Sequence, residues 1–308
     1  MSKATREALG ATLVELANEG LDVVAVEADL SKSTTTAKLG DAYPERLFNV
    51  GIAEQNMIDV ASGLAVSGKI AFTGSFAVFA TGRAYDQVRN TVCYSNLNVK
   101  LTPTHAGITV GPDGGSHQML EDLALMRVLP GMRVLVPADF NAARAAIRTA
   151  ATTPGPFYVR LGRVGVPEVY PADFEFEVGR AYVLREGTDV TIAACGVMVP
   201  EALSAAEKLA SEGVSAEVID VASVKPIDVE TIVASVAKTG RIVTCEEHSV
   251  LGGMGSAVSE VLSEVCPVPT RRVGVADVFG TSGEPAELMA YFGLTADDIV
   301  AAVRELMA

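Results

Sequence analysis

Short runs of β-branched and apolar residues alternate along the chain with longer stretches in which apolar residues recur every three or four positions. The first kind reads as strands and the second as amphipathic helices. Residues 5–20 (TREALGATLVELANEG) predict a helix and 22–28 (DVVAVEA) a strand. A helix over about 52–66, a strand over 69–74 (KIAFTG) and a helix over about 80–94 follow. Residues 98–105 (NVKLTPTH), 133–138 (RVLVPA) and 156–161 (PFYVRL) read as strands. Residues 138–152 read as a helix with Asp139 as its N-cap. This rhythm is that of a parallel sheet covered by helices on both faces.

The rhythm breaks over 162–187, where Pro167 and Pro171 punctuate mixed short strands, and then resumes. Strands at 189–196, 215–221, 241–247 and 268–275 each precede a helical pattern. The expected fold is therefore α/β, with two doubly wound domains. The first, at 1–165, has a parallel sheet, a linker covers 166–185, and a smaller second domain covers 186–308. In open α/β sheets ligands sit beyond the carboxyl ends of the strands. That directs attention to 28–36, 49–56, 74–82, 103–118 and 160–163.

With 308 residues, 49% of them hydrophobic, the chain is long enough for two sizeable cores. No apolar run has spanning length, and the apolar residues near the start are periodic rather than continuous. A cytoplasmic protein without a membrane partner is expected. A formal charge of −14 argues against nucleic acid, whose affinity rests on Lys and Arg meeting phosphates. Cys93, Cys195, Cys245 and Cys266 form no CxxC pair and only three histidines exist, so no metal site is expected in this chain.

Within FNVGIAEQNM (48–57) a strand-like run ends at Gly51 and Glu54 falls on the first turn of a helix. Two readings are open: a carboxylate complementing the helix dipole, or a buried acid that holds a heterocycle. Phe76 and Phe79 stand where a strand meets a helix, as core residues or as a surface that stacks on a planar ring. His105 and His117 flank the glycine-rich AGITVGPDGGS, which contains Asp113, and a loop could bring both imidazoles together to move protons. Arg160, at the end of a strand in YVRLGR, could hold an anion or make a rim salt bridge. PDGG followed by Asn141 imitates a GDG…N diphosphate signature, but Pro112 replaces the first glycine and Asn141 falls in a helix pattern. In the second half, the Gly-rich turn in EEHSVLGGMGSAV (246–258) reads as tight packing, and His248 as a surface or interface histidine.

In order, ATREALG, EADLSKSTTT, GIAEQNM, GSFAVFATGRAYDQVR, THAGITVGPDGGSHQMLEDLALMRVLPGMRVLVPAD, YVRLGR, KPID and SGEPAELMAYFGL resemble the carboxyl-terminal half of transketolase over nearly the whole chain. The resemblance implies a pyrimidine-binding domain with a parallel sheet, followed by a smaller transketolase carboxyl-terminal domain with a mixed sheet. It also implies transfer of a two-carbon ketol unit between sugar phosphates with thiamine diphosphate as cofactor. Glu54 is then the acid that hydrogen-bonds the aminopyrimidine, Phe76 and Phe79 its aromatic wall, and Asp29 an acidic neighbour of the cofactor. His105, His117 and Asp113 match residues that contact substrate hydroxyls, and Arg6, Ser33 and Arg160 match a phosphate clamp. The GDG…N domain is missing from these residues. The resemblance therefore implies a separate amino-terminal subunit that holds the diphosphate and its Mg2+ (or Ca2+), in an α2β2 heterotetramer. The rivals are the β subunit of a 2-oxoacid dehydrogenase, which shares the Glu but transfers an acyl unit, and a non-catalytic regulatory or scaffold subunit.

Overall fold

A computed structural model describes residues 2–308; Met1 lies outside the described residues. Two sheets organise the chain. The first has seven strands in the order Ser223–Lys225, Arg133–Leu135, Phe157–Val159, Val99–Leu101, Ile70–Gly74, Val23–Glu27 and Leu47–Asn49. All neighbours run parallel except the first pair. The second has five strands in the order Thr270–Val275, Ile242–Ser249, Val190–Ala194, Ala216–Asp220 and Tyr182–Arg185, with the last antiparallel. Val23–Glu27 and Val190–Ala194 are buried at every position, because helices cover both faces of their sheets.

Local chemistry accounts for the helices that frame the site. Asp139 starts Phe140–Thr152 by accepting a hydrogen bond from the Ala142 amide at 2.7 Å. The alanine-rich inner face of this helix then packs against Thr5–Asn18, and Arg144 and Arg148 reach Glu15 and Glu19 along the outer edge of the contact. Glu54–Val66 begins on its own acid, after a turn in which Gly51 has φ of +75°, accessible to glycine without strain.

Three elements depart from the sequence rhythm. The helix expected over about 80–94 is wound as two wide π-helical segments, Val78–Arg83 and Gln87–Cys93. The Ala84 amide bonds the Phe79 carbonyl five residues back, which sets Arg83 against the Phe79 ring. Tyr182–Arg185, expected in the linker, is a strand of the second sheet. Ser223–Lys225, inside the expected second domain, crosses over to pair antiparallel with Arg133–Leu135 of the first.

Candidate functional site

The parallel strands of the first sheet end on one rim, and the segments that leave it carry nearly every candidate residue. At the strand ends after Glu27 and Asn49, the Asn49 amide ties two turns together. Its Oδ1 accepts from the Asp29 amide at 3.2 Å and from the Gly51 amide at 2.9 Å, and its Nδ2 donates to Asp29 Oδ1 at 3.2 Å. Asp29 is exposed, with φ of +64°. Asn49 was not singled out in the sequence; a short amide just before a glycine turn is the signal that could have found it.

Glu54, on the first turn of its helix, is only 2% exposed. It is not surrounded by apolar groups alone, because Arg83 Nη1 lies 2.9 Å from its Oε2. Arg83 is half-exposed and its guanidinium also covers the Phe79 ring, 4.6 Å from the centroid. Phe79 and Phe76 are nearly parallel, with centroids 6.1 Å apart and an interplanar angle of 14°. Both histidines meet this pair. His105 stacks on Phe76 at 3.8 Å, and the His117 ring stands edge-on to Phe79 at 5.5 Å and to Phe76 at 6.5 Å. An acid, a guanidinium, two phenyl rings and two imidazoles thus form one continuous surface. Nearly parallel rings beside a buried carboxyl group suit a planar heterocycle that offers a nitrogen at its edge.

His105 is buried, with φ of +61°, an uncommon conformation for a residue carrying a Cβ. Thr104 Oγ1 lies 2.7 Å from its Nδ1. Burial, reinforced by the positive charges of Arg6 and Arg163 and by His117, lowers its pKa to about 3. His105 is therefore a neutral imidazole at physiological pH, suited to hydrogen bonding rather than to carrying a charge.

The anion-binding candidates separate into two groups. Arg6 donates from Nη1 to the Ser33 carbonyl at 2.7 Å, so the two are together. The Arg6 Nε is buried without a partner. Burial and the neighbouring Arg163 lower the pKa of Arg6. Arg163 donates to the Val110 carbonyl and lies 4.0 Å from Asp113. Two guanidinium groups that repel each other, one with an unused donor, suit an anion.

Arg160 makes different contacts. Instead of facing this site, its guanidinium is buried and spans Asp122 from Nε at 2.7 Å and from Nη2 at 3.2 Å, while Nη2 also donates to the Glu247 carbonyl at 2.9 Å. Burial opposes the charge on Asp122, but Arg160, His248 and the Tyr158 hydroxyl outweigh it and lower the Asp122 pKa. The guanidinium nearest Arg6 and Asp113 belongs to Arg163, three residues on.

Of the two places expected for His248, the structure favours an interface: it is fully buried in the long strand Ile242–Ser249, next to Glu246 and Glu247, and its Nε2 lies 3.9 Å from Asp122 of the first domain. The glycine turn after it packs tightly: Glu246 accepts from the Met254 amide at 2.6 Å and the Gly255 amide at 2.9 Å, which occupies donors that a phosphate would need. Asn141 donates to the Tyr170 carbonyl from within its helix, a structural bond.

A second feature missed in the sequence is Glu27. Its Oε1 accepts from Thr34 at 2.6 Å and from Thr36, which ties the segment bearing Ser33 to the strand end. Burial raises its pKa to about 7. A lone carboxylate at the end of an otherwise apolar strand was the available signal.

Two α/β domains of this kind, the first with a parallel sheet and the second with a mixed one, place the chain in a class that family models specify. The model of the transketolase pyrimidine binding domain matches residues 1–168, and that of the transketolase C-terminal domain matches 179–299. The chain belongs to the transketolase family. It is 48% identical over 294 residues to the 6-deoxy-6-sulfo-D-fructose transketolase subunit SqwH of Clostridium sp., covering 96% of this chain and 91% of that one. It is 40% identical over 297 residues to an apulose-4-phosphate transketolase subunit of Phocaeicola vulgatus, covering 96% and 95%. Its structure is similar to one described as a split gene transketolase, inactive beta4 tetramer, with a TM-score of 0.92, 55% identity and coverage of 99% and 98%. Among the described residues no helix is long and apolar enough to cross a membrane.

Proposed function

We propose that this chain is the carboxyl-terminal subunit of a thiamine-diphosphate-dependent transketolase, moving a two-carbon ketol unit from a ketose phosphate to an aldose phosphate. The observation that carries the reading is the buried Glu54 carboxyl group at one end of a surface formed by Phe79, Phe76, His117 and His105. The family implies the cofactor, and these residues fit its aminopyrimidine. When bound, thiamine diphosphate supplies a nucleophilic carbon and an electron sink for the two-carbon unit.

This chain's residues orient and move protons. Glu54 hydrogen-bonds a ring nitrogen and shares a proton with it, and the Phe pair holds the ring plane. For that nitrogen to use Oε2, Arg83 must swing from Glu54, and its half-exposed side chain has room in solvent. His105 is neutral and offers hydrogen bonds to a sugar hydroxyl; His117 and Asp113 face the same sugar. Arg6 and Arg163, with Ser33, receive the phosphate, and Asp29 lies beside the cofactor at the turn it shares with Asn49. The phosphate-clamp positions favour a sugar phosphate over the lipoyl carrier that a 2-oxoacid dehydrogenase β subunit would serve.

The reading includes a partner: an amino-terminal subunit with the GDG…N motif that holds the diphosphate and Mg2+ (or Ca2+), in an α2β2 assembly. The description of the solved relative as an inactive beta4 tetramer supports the need for one. The test is Glu54→Gln in the completed enzyme. The amide keeps the side-chain shape, so the fold should persist while ketol transfer falls at least a hundredfold, the scale of a lost proton-transfer group. Near-normal turnover would sink the proposal.

A further inference from the structure

The chemistry above uses only the first domain and leaves the second without a role. The contacts of the histidine loop suggest one. Residues 105–118 lie against the second domain, and glycines line the seam on both sides. A methyl group at Gly107 would fall 2.1 Å from Glu247 Cδ, and one at Gly114 would fall 2.4 Å from Ser282 Oγ. From the other side, a methyl group at Gly280 would fall 1.7 Å from Gln118 Oε1. The backbones approach more closely than side chains would allow.

Two second-domain groups then bond the loop directly. The Glu247 carboxylate accepts from the Thr109 amide at 2.6 Å. The Gln118 amide donates to the Thr281 carbonyl at 2.9 Å and, within the loop, to the Ile108 carbonyl at 3.0 Å. One buried amide thus joins the second domain to both ends of the loop, immediately after His117.

We propose that the carboxyl-terminal domain sets the position of the loop bearing His105, Asp113 and His117, with Gln118 as the positioning residue that links the 280–285 segment to His117. Only the kinetic half of the proposal rests on the ketol-transfer reading. Gln118→Leu keeps the bulk but removes the donor to the Thr281 and Ile108 carbonyls. In the full chain alone, amide hydrogen exchange over 106–118 should accelerate at least tenfold, while Val23–Glu27 and Val190–Ala194 keep their protection. In the enzyme completed with its partner, KM for the sugar phosphate should rise at least tenfold and cofactor affinity should stay within twofold. Gly280→Ala should reproduce the pattern from the opposite side of the seam. The double variant should be no worse than the poorer single one, because both disrupt one contact.

If Gln118→Leu fails to fold, Gly280→Ala carries the test alone. Unchanged loop exchange in folded variants overturns the proposal, as does loss of protection spread over both domains. Faster loop exchange with an unaltered KM overturns it as well. If the wild-type pair transfers no ketol unit, the functional reading fails, and the exchange measurement still decides whether the second domain holds the loop.

Discussion

Exchanging Arg160 and Arg163 for methionine, one at a time, separates a residue that fastens the domains from the one proposed to receive the phosphate. Arg160→Met removes a buried guanidinium and leaves Asp122 with the Tyr158 hydroxyl at 2.6 Å and the His248 ring at 3.9 Å. Asp122 is wholly buried, so its charge keeps little compensation. Breaking such a pair from one side costs about 3–5 kcal/mol, a fall in melting temperature on the order of 10 °C. The Glu247 carbonyl in the second domain also loses its donor, so the loss should appear in both domains. Arg163 differs: its side chain is 36% exposed, and the Asp113 carboxylate 4.0 Å away is partly solvated. Arg163→Met should change stability by less than about 1 kcal/mol. Losing a charge-assisted bond to a phosphate costs about 1.5–3 kcal/mol, a rise in KM for the sugar phosphate of roughly ten- to a hundredfold. The assays are thermal melting of the chain alone and steady-state kinetics of the completed enzyme with saturating cofactor. A stable Arg160→Met protein whose only defect is a raised KM would refute the assignment and return Arg160 to the clamp.

His105 makes stability depend on pH. Its native pKa of about 3 lies below the ordinary 6.5, so the unfolded chain takes up the proton first. The stabilisation is fully present above about 6.5 and declines by about 1.4 kcal/mol per pH unit as pH falls toward 3. His105→Gln should flatten the slope of unfolding free energy against pH between 4 and 6; identical slopes would rule the depressed pKa out. Gly74→Ala should destabilise the chain by more than about 2 kcal/mol, because the new methyl group would lie 1.7 Å from Glu27 Oε1. Adding Glu27→Ala should restore part of that in denaturant melts, and a double variant as unstable as the sum of the singles would contradict the contact.

Much of the architecture was legible because it rests on periodicity. The strand ends, the helix after Asp139 and the start of the Glu54 helix are fixed by local patterns, and the rim follows from the parallel order. The inward turn of Arg160 was legible too, had the alternation of Phe157–Val159 been carried one step further. Tyr158 and Arg160 share a face and both reach Asp122. A surface place for His248 fails for the opposite reason: a strand covered on both faces buries its side chains, so three polar residues in a row do not mark a surface. The contact between Gly280 and Gln118 was beyond reach, since it joins residues 162 positions apart across a seam with no periodic signal.

The short strand Ser223–Lys225 makes the two halves interdependent. Because it closes the outer margin of the seven-stranded sheet, a polypeptide ending at residue 185 would expose the backbone donors and acceptors of Arg133–Leu135 as a template for sticky intermolecular pairing. The two halves of this molecule are therefore woven through one another, and excising the first domain at the apparent linker would remove a piece of its own wall.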